Sequence, residues 1–407
     1  MPSMHQCTFR LHACWLPAAV LVITFIAACT VADPKRRPLV SSVPVAGCAA
    51  HGEIQNRFEA PQSDPDALPG LTVWEENMVD YGRRRGDDML AESSYLDRLK
   101  LNYYDAQRVF LQIADYTGDG QPWNRYAQAA ESVYKTYLEK NDFKVAGYMR
   151  FPHGLFMDWQ RTGDEQSLDY LLRMRDRGAF SNPEQPRFSK QWRDPRYSRE
   201  VAYALENQVL AERAGAPPQT ARVDLYVDMA IAHIDAWVTG DFGHDDPEWR
   251  FCQAFMAGLT ASALIAYDDH LEAAGRGRDP RILPRVQSLA DWLWQTMWIA
   301  GVGGSRGDWY SYESSPVGAF EYVQPTVDGV GSESPSPDTS LLIVPMYGWL
   351  YARTGEQRFR DRGDVIFAGG VEMGSLQQNK QFNQSYRSSF DYVAWRKAGL
   401  VTAADNY

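Results

Sequence analysis

The stretch Asp338–Gly363, DTSLLIVPMYGWLYARTGEQRFRDRG, decides the fold class. Asp338 and Thr339 are good N-cap residues, and Leu341–Tyr351 is apolar almost all the way round, as in a helix packed on several sides. Gly355 can take the left-handed conformation that ends a helix, and the charged segment after it predicts a solvated helix. The stretch therefore predicts one helical hairpin with a buried and an outer helix.

The same Thr-Gly-acid sequence occurs twice more, at Thr117-Gly118-Asp119 and Thr162-Gly163-Asp164. These two copies are roughly 45 residues apart, and the third lies about four such periods further on, which suits stacked helix pairs. The alternative is that this tripeptide is only a common helix stop. An apolar helix before each copy and an aromatic residue soon after it favour the repeat.

Helical patterning begins at about Leu71 and is not followed by a convincing strand alternation. After this first helix, further helices are predicted over 99–116, 123–140, 153–162, 165–177, 197–214, 219–239, 249–274, 281–299, 338–353, 356–368 and 384–397. The sequence therefore predicts an all-α domain over residues 71–407.

The N-terminal segment has the pattern of an export signal. Arg10 and His12 precede the apolar run 16–25, and small residues then lead to Cys29. This order resembles a bacterial lipoprotein signal over 1–28, with lipid on the Cys29 thiol. The alternative is an ordinary secretory signal that contains a cysteine. Thr30 favours sorting to the outer membrane, facing the periplasm of a Gram-negative cell.

Charge and cysteine content narrow the class of partner. The formal net charge is −11 with neutral histidines, and no basic stripe or recognition motif occurs, so nucleic acid is not expected as a partner. Residues 29–70 are rich in proline, serine and alanine and predict a tether between membrane and domain. Cys48 and Cys252 could pair in an oxidising compartment, but they form neither a disulfide framework nor a metal site.

The longest irregular stretch is 299–337, and a loop of this length inside a compact domain is usually functional. It carries Arg306, Trp309 and Tyr312, which combine charge, a titratable hydroxyl and aromatic faces for stacking on sugars. The alternative is a surface insertion. The segment His244-Asp245-Asp246 resembles a metal cluster, but as a polar turn before a proline it is expected to be solvated.

Polar residues cluster where several predicted helices begin. If the hairpins close into a toroid, the inner helices begin at one end, and their first residues converge on one opening. The candidates for binding a substrate there are Arg199, Glu200, Tyr203, Gln253, Arg306, Trp309, Lys380, Asn383, Gln384 and Arg387. His153, Tyr312 and Tyr386 are the candidates for catalysis.

This inventory suits β-elimination on a uronic-acid polymer. Arginine or amide groups neutralise the carboxylate beside the C5 proton, and a tyrosine or histidine then moves protons. Each residue also has a structural alternative: His153 can cap a helix, Tyr386 can pack among aromatic residues, and Arg199 and Glu200 can form a salt bridge. No nucleophile elbow, phosphate loop, dinucleotide fingerprint or HExxH motif occurs, so acid–base chemistry without a cofactor is the default expectation.

Several segments together resemble the α/α-toroid polysaccharide lyases, especially the alginate and glucuronan lyases. They are REVAY, HGLF, FMAGL, DTSLLIVPMYGW with its TGE turn, and KQFNQSYRSSFDYVAWR, spread over about 71–397. The resemblance implies a toroid of about six to seven helical hairpins, a cleft at one end, and catalysis by tyrosine, histidine and arginine. Gln253 stands at a helix start where a second catalytic histidine would be expected.

Three functions remain open from the sequence. The first is a lipid-anchored lyase for an acidic polysaccharide. The second is a glycoside hydrolase on the same toroid, using two carboxylates among Asp105, Asp158 and Glu200. The third is a non-catalytic glycan-binding lipoprotein with an aromatic cleft.

Overall fold

The computed structural model describes residues 67–243, 250, 252–300, 318–324, 335–377 and 379–404. Helices account for most of these residues, so the predicted all-α class is confirmed. None of the helices in these ranges is both long enough and apolar enough to cross a membrane.

The helices follow one another along the chain, most of them with short connections. They are α1 Leu71–Ala91, α2 Tyr95–Leu101, α3 Ala106–Thr117, α4 Trp123–Lys140, α5 Pro152–Thr162, α6 Glu165–Arg177, α7 Pro186–Gln191, α8 Ser198–Arg213, α9 Thr220–Thr239, α10 Ala254–Ala273, α11 Ile282–Thr296, α12 Ser340–Ile343, α13 Pro345–Thr354, α14 Gln357–Met373 and α15 Asn379–Ala404. Most of the predicted bounds lie within a few residues of these.

Two small antiparallel ladders accompany the helices, although no strand was predicted. They pair β1 (Cys252–Gln253) with β4 (Val323–Gln324), and β2 (Trp298–Ala300) with β3 (Gly318–Phe320). Such short strands are too brief for a sequence alternation to reveal. The β1–β4 ladder matters for the site because it fixes the chain just before α10.

The predicted Thr-Gly turns end α3, α5 and α13. At each turn the glycine has a positive φ, between 65° and 74°, and the threonine hydroxyl donates to the carbonyl four residues earlier. The backbone N–H of the following acidic residue then donates to the same hydroxyl. A fourth copy, Thr239-Gly240-Asp241, ends α9 in the same way and was missed in the sequence.

Two predicted helices are interrupted. Pro345 lacks an N–H, so the helix predicted over 338–353 divides into α12 and α13, although Leu341–Tyr351 is buried as expected. The helix predicted over 99–116 breaks between α2 and α3, where Tyr104 and Asp105 have φ values of 68° and 67°. Two consecutive non-glycine residues in this region store strain, which is characteristic of functional sites.

The helices pack as hairpins and then hairpin against hairpin. Within hairpins, α3 contacts α4, α5 contacts α6, α8 contacts α9, and α13 contacts α14. Between hairpins, α3 contacts α5, α5 contacts α8, α8 contacts α10, α10 contacts α13, and α13 contacts α15. The last helix, α15, contacts α3, so both ends of the helical array lie together.

Candidate active site

The first half of α8 supplies four side chains of the site. Tyr203 follows Arg199 by four residues and Glu200 by three, and Glu206 follows Tyr203 by three, which places these side chains toward one side of the helix. Glu200, Tyr203 and Glu206 are buried, whereas the Arg199 side chain is 20% exposed. Helix α8 therefore carries charge from the surface into the core.

Arg199 and Glu200 form an ion pair at the surface end of this row. Nε and Nη2 of Arg199 donate to Glu200 Oε1 over 3.0 and 2.5 Å. Burial opposes the arginine's charge, but Glu200 more than offsets this and raises the pKa of Arg199. The salt bridge that the sequence offered as the structural alternative for this pair is therefore present. Nη1 of Arg199 has no acceptor among the described residues and remains available for one.

Arg387 enters the same place from α15. Its Nη1 donates to the Tyr203 hydroxyl over 2.9 Å, and its Nη2 lies 3.5 Å from Glu206 Oε2. Burial raises the pKa of Tyr203 to about 12, although the Arg387 charge opposes the shift. Burial by itself would lower the pKa of Arg387. The interactions with Tyr203 and Glu206 outweigh the effect of burial and raise this pKa. Tyr203 therefore keeps its proton at neutral pH.

His153 approaches the same carboxylate from the start of α5. Its Nδ1 lies 3.9 Å from Glu206 Oε2, and its side chain is 19% exposed. Burial raises the pKa of Glu206, while the charges of Arg387 and Arg108 lower it. Glu206 is thus a buried carboxyl group shared by a histidine and an arginine. It was not predicted, because its helical spacing from Tyr203 does not by itself distinguish a buried glutamate from a solvated one.

The break between α2 and α3 brings two more side chains to the site. Tyr103 is half-buried, and burial raises its pKa while the Arg199 charge lowers it. The Asp105 carboxylate accepts the N–H groups of Arg108 and Gly154 over 3.2 and 3.0 Å, so it caps α3 and α5 together. No sequence signal predicted Tyr103, because its position depends on a backbone conformation that favours glycine.

Two predicted binding residues on α15 support the backbone instead. The buried Asn383 amide donates to the carbonyls of Leu101 and Tyr103 over 2.7 and 2.9 Å. The buried Gln384 amide donates to the Asp338 carbonyl over 2.6 Å. The structure therefore corrects their expected role, because these amide donors hold chain segments that border the site.

Tyr386 was predicted to carry the proton, but the structure places it in the core. Its hydroxyl donates to the Trp74 carbonyl over 2.7 Å, and its ring packs on Trp74 and Phe382. Burial raises the pKa of Tyr386 well above its ordinary value. One residue along a helix turns the side chain by about 100°, so Tyr386 faces α1 while Arg387 faces α8.

The remaining predicted residues fall in different places. Gln253 lies in β1 beside α10 and forms a side-chain hydrogen bond with Tyr322. Lys380 is exposed at the start of α15. Several predictions lie outside the described residues: Cys29, Cys48, His244, Asp245, Asp246, Arg306, Trp309 and Tyr312.

A group of carboxylates lies elsewhere, on α4, α5 and the turn before α6. Ligand atoms of Glu131, Asp158 and Asp164 lie within 4.8 Å of one another, the only such group of three in the described part of the chain. Lys135 Nζ lies 2.5 Å from Glu131 and 2.6 Å from Asp164. Because the Lys135 ammonium forms ion pairs with two of these carboxylates, we read the group as an ion-pair network and assign it no metal.

A cavity of about 320 Å³ lies beside the end of α9. Its lining includes Trp237, Phe242, Cys252 and Trp292. The Cys252 thiol is free and buried, and burial raises its pKa well above the ordinary value. Since the lining offers no acid–base pair, we place the candidate site at the cluster around Arg199, Glu206 and Arg387.

Comparison with known proteins gives no relative. No protein-family model matches the chain, and no curated protein or solved structure matches it significantly.

Proposed function

We propose that this protein is a polysaccharide lyase that cleaves a uronic-acid-containing polymer, of the alginate or glucuronan type, by β-elimination. One observation carries the proposal: two arginines, two tyrosines and a histidine meet where α5 and α8 begin, around Arg199, Arg387 and Glu206. The net charge of −11 opposes a polyanion in general, so the substrate must be attracted locally by these arginines.

We further propose that the hairpins close into an α/α toroid. The contact of α15 with α3 supports closure, as does the succession of contacts from α3 through α5, α8, α10 and α13. In a toroid the starts of α5 and α8 lie at one opening, which is the arrangement that a polymer substrate needs.

The proposed chemistry begins at the substrate carboxylate. Glu200 engages one edge of the Arg199 guanidinium and leaves Nη1 for a carboxylate oxygen. Neutralising this carboxylate stabilises the negative charge that develops when the adjacent C5–H bond breaks. Arg199 therefore makes the C5 proton acidic enough to remove.

His153 and Tyr103 are proposed to move the protons. His153 Nε2 takes the C5 proton, the C4=C5 double bond forms, and the C4–O bond breaks with its electron pair on the glycosidic oxygen. Tyr103 then protonates that oxygen, a role that suits a hydroxyl whose pKa burial has raised. The products are an unsaturated uronate end and a new hydroxyl end.

The hydrolase alternative finds less support. Asp105 accepts two backbone N–H groups, Asp158 accepts the Ser167 hydroxyl over 2.7 Å, and Glu200 pairs with Arg199. Each of the three carboxylates that a hydrolase could use is therefore already engaged by a structural partner.

Incubation of the mature domain with alginate and with glucuronan tests the proposal, with near-ultraviolet absorbance reporting unsaturated ends. Arg199→Gln should lower kcat/KM by about a hundredfold. Arg222→Gln is the matched control, because Arg222 has a similar exposure and donates to Glu184 far from the cluster. New reducing ends without any unsaturated ends would indicate a hydrolase, and binding without any product would indicate a glycan-binding protein.

We also propose that lipid on Cys29 anchors the protein to the outer membrane, facing the periplasm. The signal-like order of residues before Cys29 supports this. Cys29→Ser should release the chain into the soluble fraction without an acyl mass, and a variant that stays in the membrane fraction would contradict the proposal.

A further inference from the structure

Exposed aromatic side chains are concentrated near Arg199. Among the described residues the exposed large hydrophobic side chains are Val73, Leu96, Tyr148 and Tyr322. Of the two aromatic members of this set, Tyr148 lies in the turn before α5 and Tyr322 lies in the segment paired to the residues just before α10. Exposed apolar rings gathered at one place mark a binding surface more often than scattered ones do.

Tyr148 is held outward by a rigid turn. It is 46% exposed and lies in the 3₁₀ turn Gly147–Met149, which packs on α8. A Cβ at Gly147 would lie 2.5 Å from Glu200 Cγ, so the turn sits directly against the Arg199–Glu200 pair. The Arg199 guanidinium lies 5.6 Å from the centre of the Tyr148 ring.

Tyr322 is also held in place. It is 38% exposed, and its ring stacks on the buried Phe255 of α10 with a centroid distance of 5.9 Å and an interplanar angle of 23°. The pairing of Val323 with Gln253 fixes the backbone beside it. One ring face is therefore covered by protein, which leaves the other face for a ligand.

The order of the helices sets the spacing of these rings. Helix α8, which carries Arg199, contacts both α5 and α10. Tyr148 precedes α5 and Tyr322 is tied to the start of α10, so each ring belongs to a segment next to a helix that contacts α8. The Arg199 charge also acts on the Tyr322 hydroxyl, since it lowers a pKa that burial and Asp338 raise.

We propose that Tyr148 and Tyr322 are stacking platforms for pyranose rings on opposite sides of Arg199. An amphipathic aromatic ring packs its face on the C–H face of a sugar. Arg199 then binds the carboxylate of the uronate residue that lies between the two stacked sugars. The site then binds an internal stretch of a uronate chain, with sugars on both sides of the cleaved bond. This inference rests on the proposed function for the identity of the sugar.

The test compares uronate oligosaccharides from dimers to hexamers, prepared from alginate and from glucuronan. Calorimetry gives Kd and absorbance gives kcat/KM for Tyr148→Ala and Tyr322→Ala. Each variant should weaken hexamer binding by about tenfold, since stacking contributes on the order of one tenfold step, and should change dimer binding little. Leu96→Ala, an exposed apolar residue of α2, is the control, and Tyr148→Phe and Tyr322→Phe should restore affinity because they keep the ring.

Each outcome is decisive. Cleavage by the wild type with chain-length dependence unchanged in both alanine variants overturns the platforms and leaves the lyase proposal standing. Binding without cleavage, with a length dependence that the alanine variants lose, overturns the lyase proposal and supports the platforms. A wild type that neither cleaves nor binds any of these oligosaccharides overturns both.

Discussion

Two glutamates on α8 each lie near a histidine and an arginine, but their distances to these partners differ. Glu206 lies 3.9 Å from His153 Nδ1 and 3.5 Å from Arg387 Nη2. In the last turn of the same helix, Glu212 Oε2 lies 3.1 Å from both His270 Nε2 and Arg276 Nη2.

The pKa values of these carboxyl groups shift in opposite directions. Burial raises the pKa of Glu206, and the charges of Arg387 and Arg108 offset this rise only in part. Burial also acts on Glu212, but hydrogen bonds from His270 and Arg276 outweigh it and lower its pKa. The exposed fractions of the two side chains, 5% and 7%, are nearly equal. Glu206 lies deep in the core, whereas Glu212 lies at a helix end, so depth and hydrogen bonding decide the direction.

This contrast separates a structural ion pair from a group prepared for chemistry. The hydrogen bonds from His270 and Arg276 favour the charged form of Glu212. Glu206 lies farther from its histidine and arginine partners, and perturbed carboxyl groups of this kind concentrate at functional sites.

The largest difference should appear when the arginine of each group is removed. Arg387→Met leaves Glu206 and Asp105 buried without their main counter-charge, and should lower the free energy of unfolding by about 3–5 kcal/mol. Arg276→Met removes a guanidinium that is 38% exposed, and should cost at most about 1 kcal/mol. Urea denaturation measures both, and equal costs would mean that the two glutamates are equivalent.

The histidines should differ next, in turnover. His153→Gln should lower kcat/KM on the uronate polymer by about a hundredfold, the usual scale for a general base. His270→Gln, the matched change in the other group, should leave kcat/KM unchanged. If the His153 variant keeps full activity with normal stability, His153 is not the base.

The pH dependence of stability should have opposite signs in the two carboxamide variants. The raised pKa of Glu206 gives a contribution that is present below its ordinary value of 4.5 and lost as pH rises through the folded value. The lowered pKa of Glu212 gives a contribution that is present above 4.5 and lost as pH falls. Relative to the wild type, Glu206→Gln should therefore gain stability with rising pH, and Glu212→Gln should lose it.

Denaturation at a series of pH values between about 4 and 8 checks these signs. The same sign in both variants would show that the two carboxyl groups have similar environments in solution.

The smallest effect is expected at the opposite end of α5 from His153. Gly163 has a φ of +74° and open space around its Cα. Gly163→Ala should therefore cost about 1 kcal/mol through backbone strain alone, with kcat/KM per folded molecule unchanged. Loss of turnover in this variant would show that the Thr-Gly turns also contribute to the site.

The candidate site was only partly predictable from the residues. The sequence pointed to four residues of the cluster because polar residues at the starts of apolar helices are visible in it: His153, Arg199, Tyr203 and Arg387. Glu206 was overlooked because a single glutamate inside an apolar helix is indistinguishable from a surface residue until its neighbours are known.

Tyr386 shows where sequence reasoning failed. It lies next to Arg387 in a segment dense with aromatic residues, and Tyr386 was assigned to catalysis while Arg387 was assigned to substrate binding. The rotation of α15 against α1 and α8 decides which of the two faces the site, and rotation depends on packing with helices that are distant in the sequence.

The sequence by itself determined the helical class, most helix bounds and the Thr-Gly turns. These follow from apolar periodicity and from glycine's access to positive φ, which are properties of neighbouring residues. Only the tertiary structure decided that Tyr104 and Asp105 break a helix, that Glu206 gathers His153 and Arg387, and that Tyr386 turns inward. Those features depend on burial and on distances between helices far apart in the chain, so no local pattern could specify them.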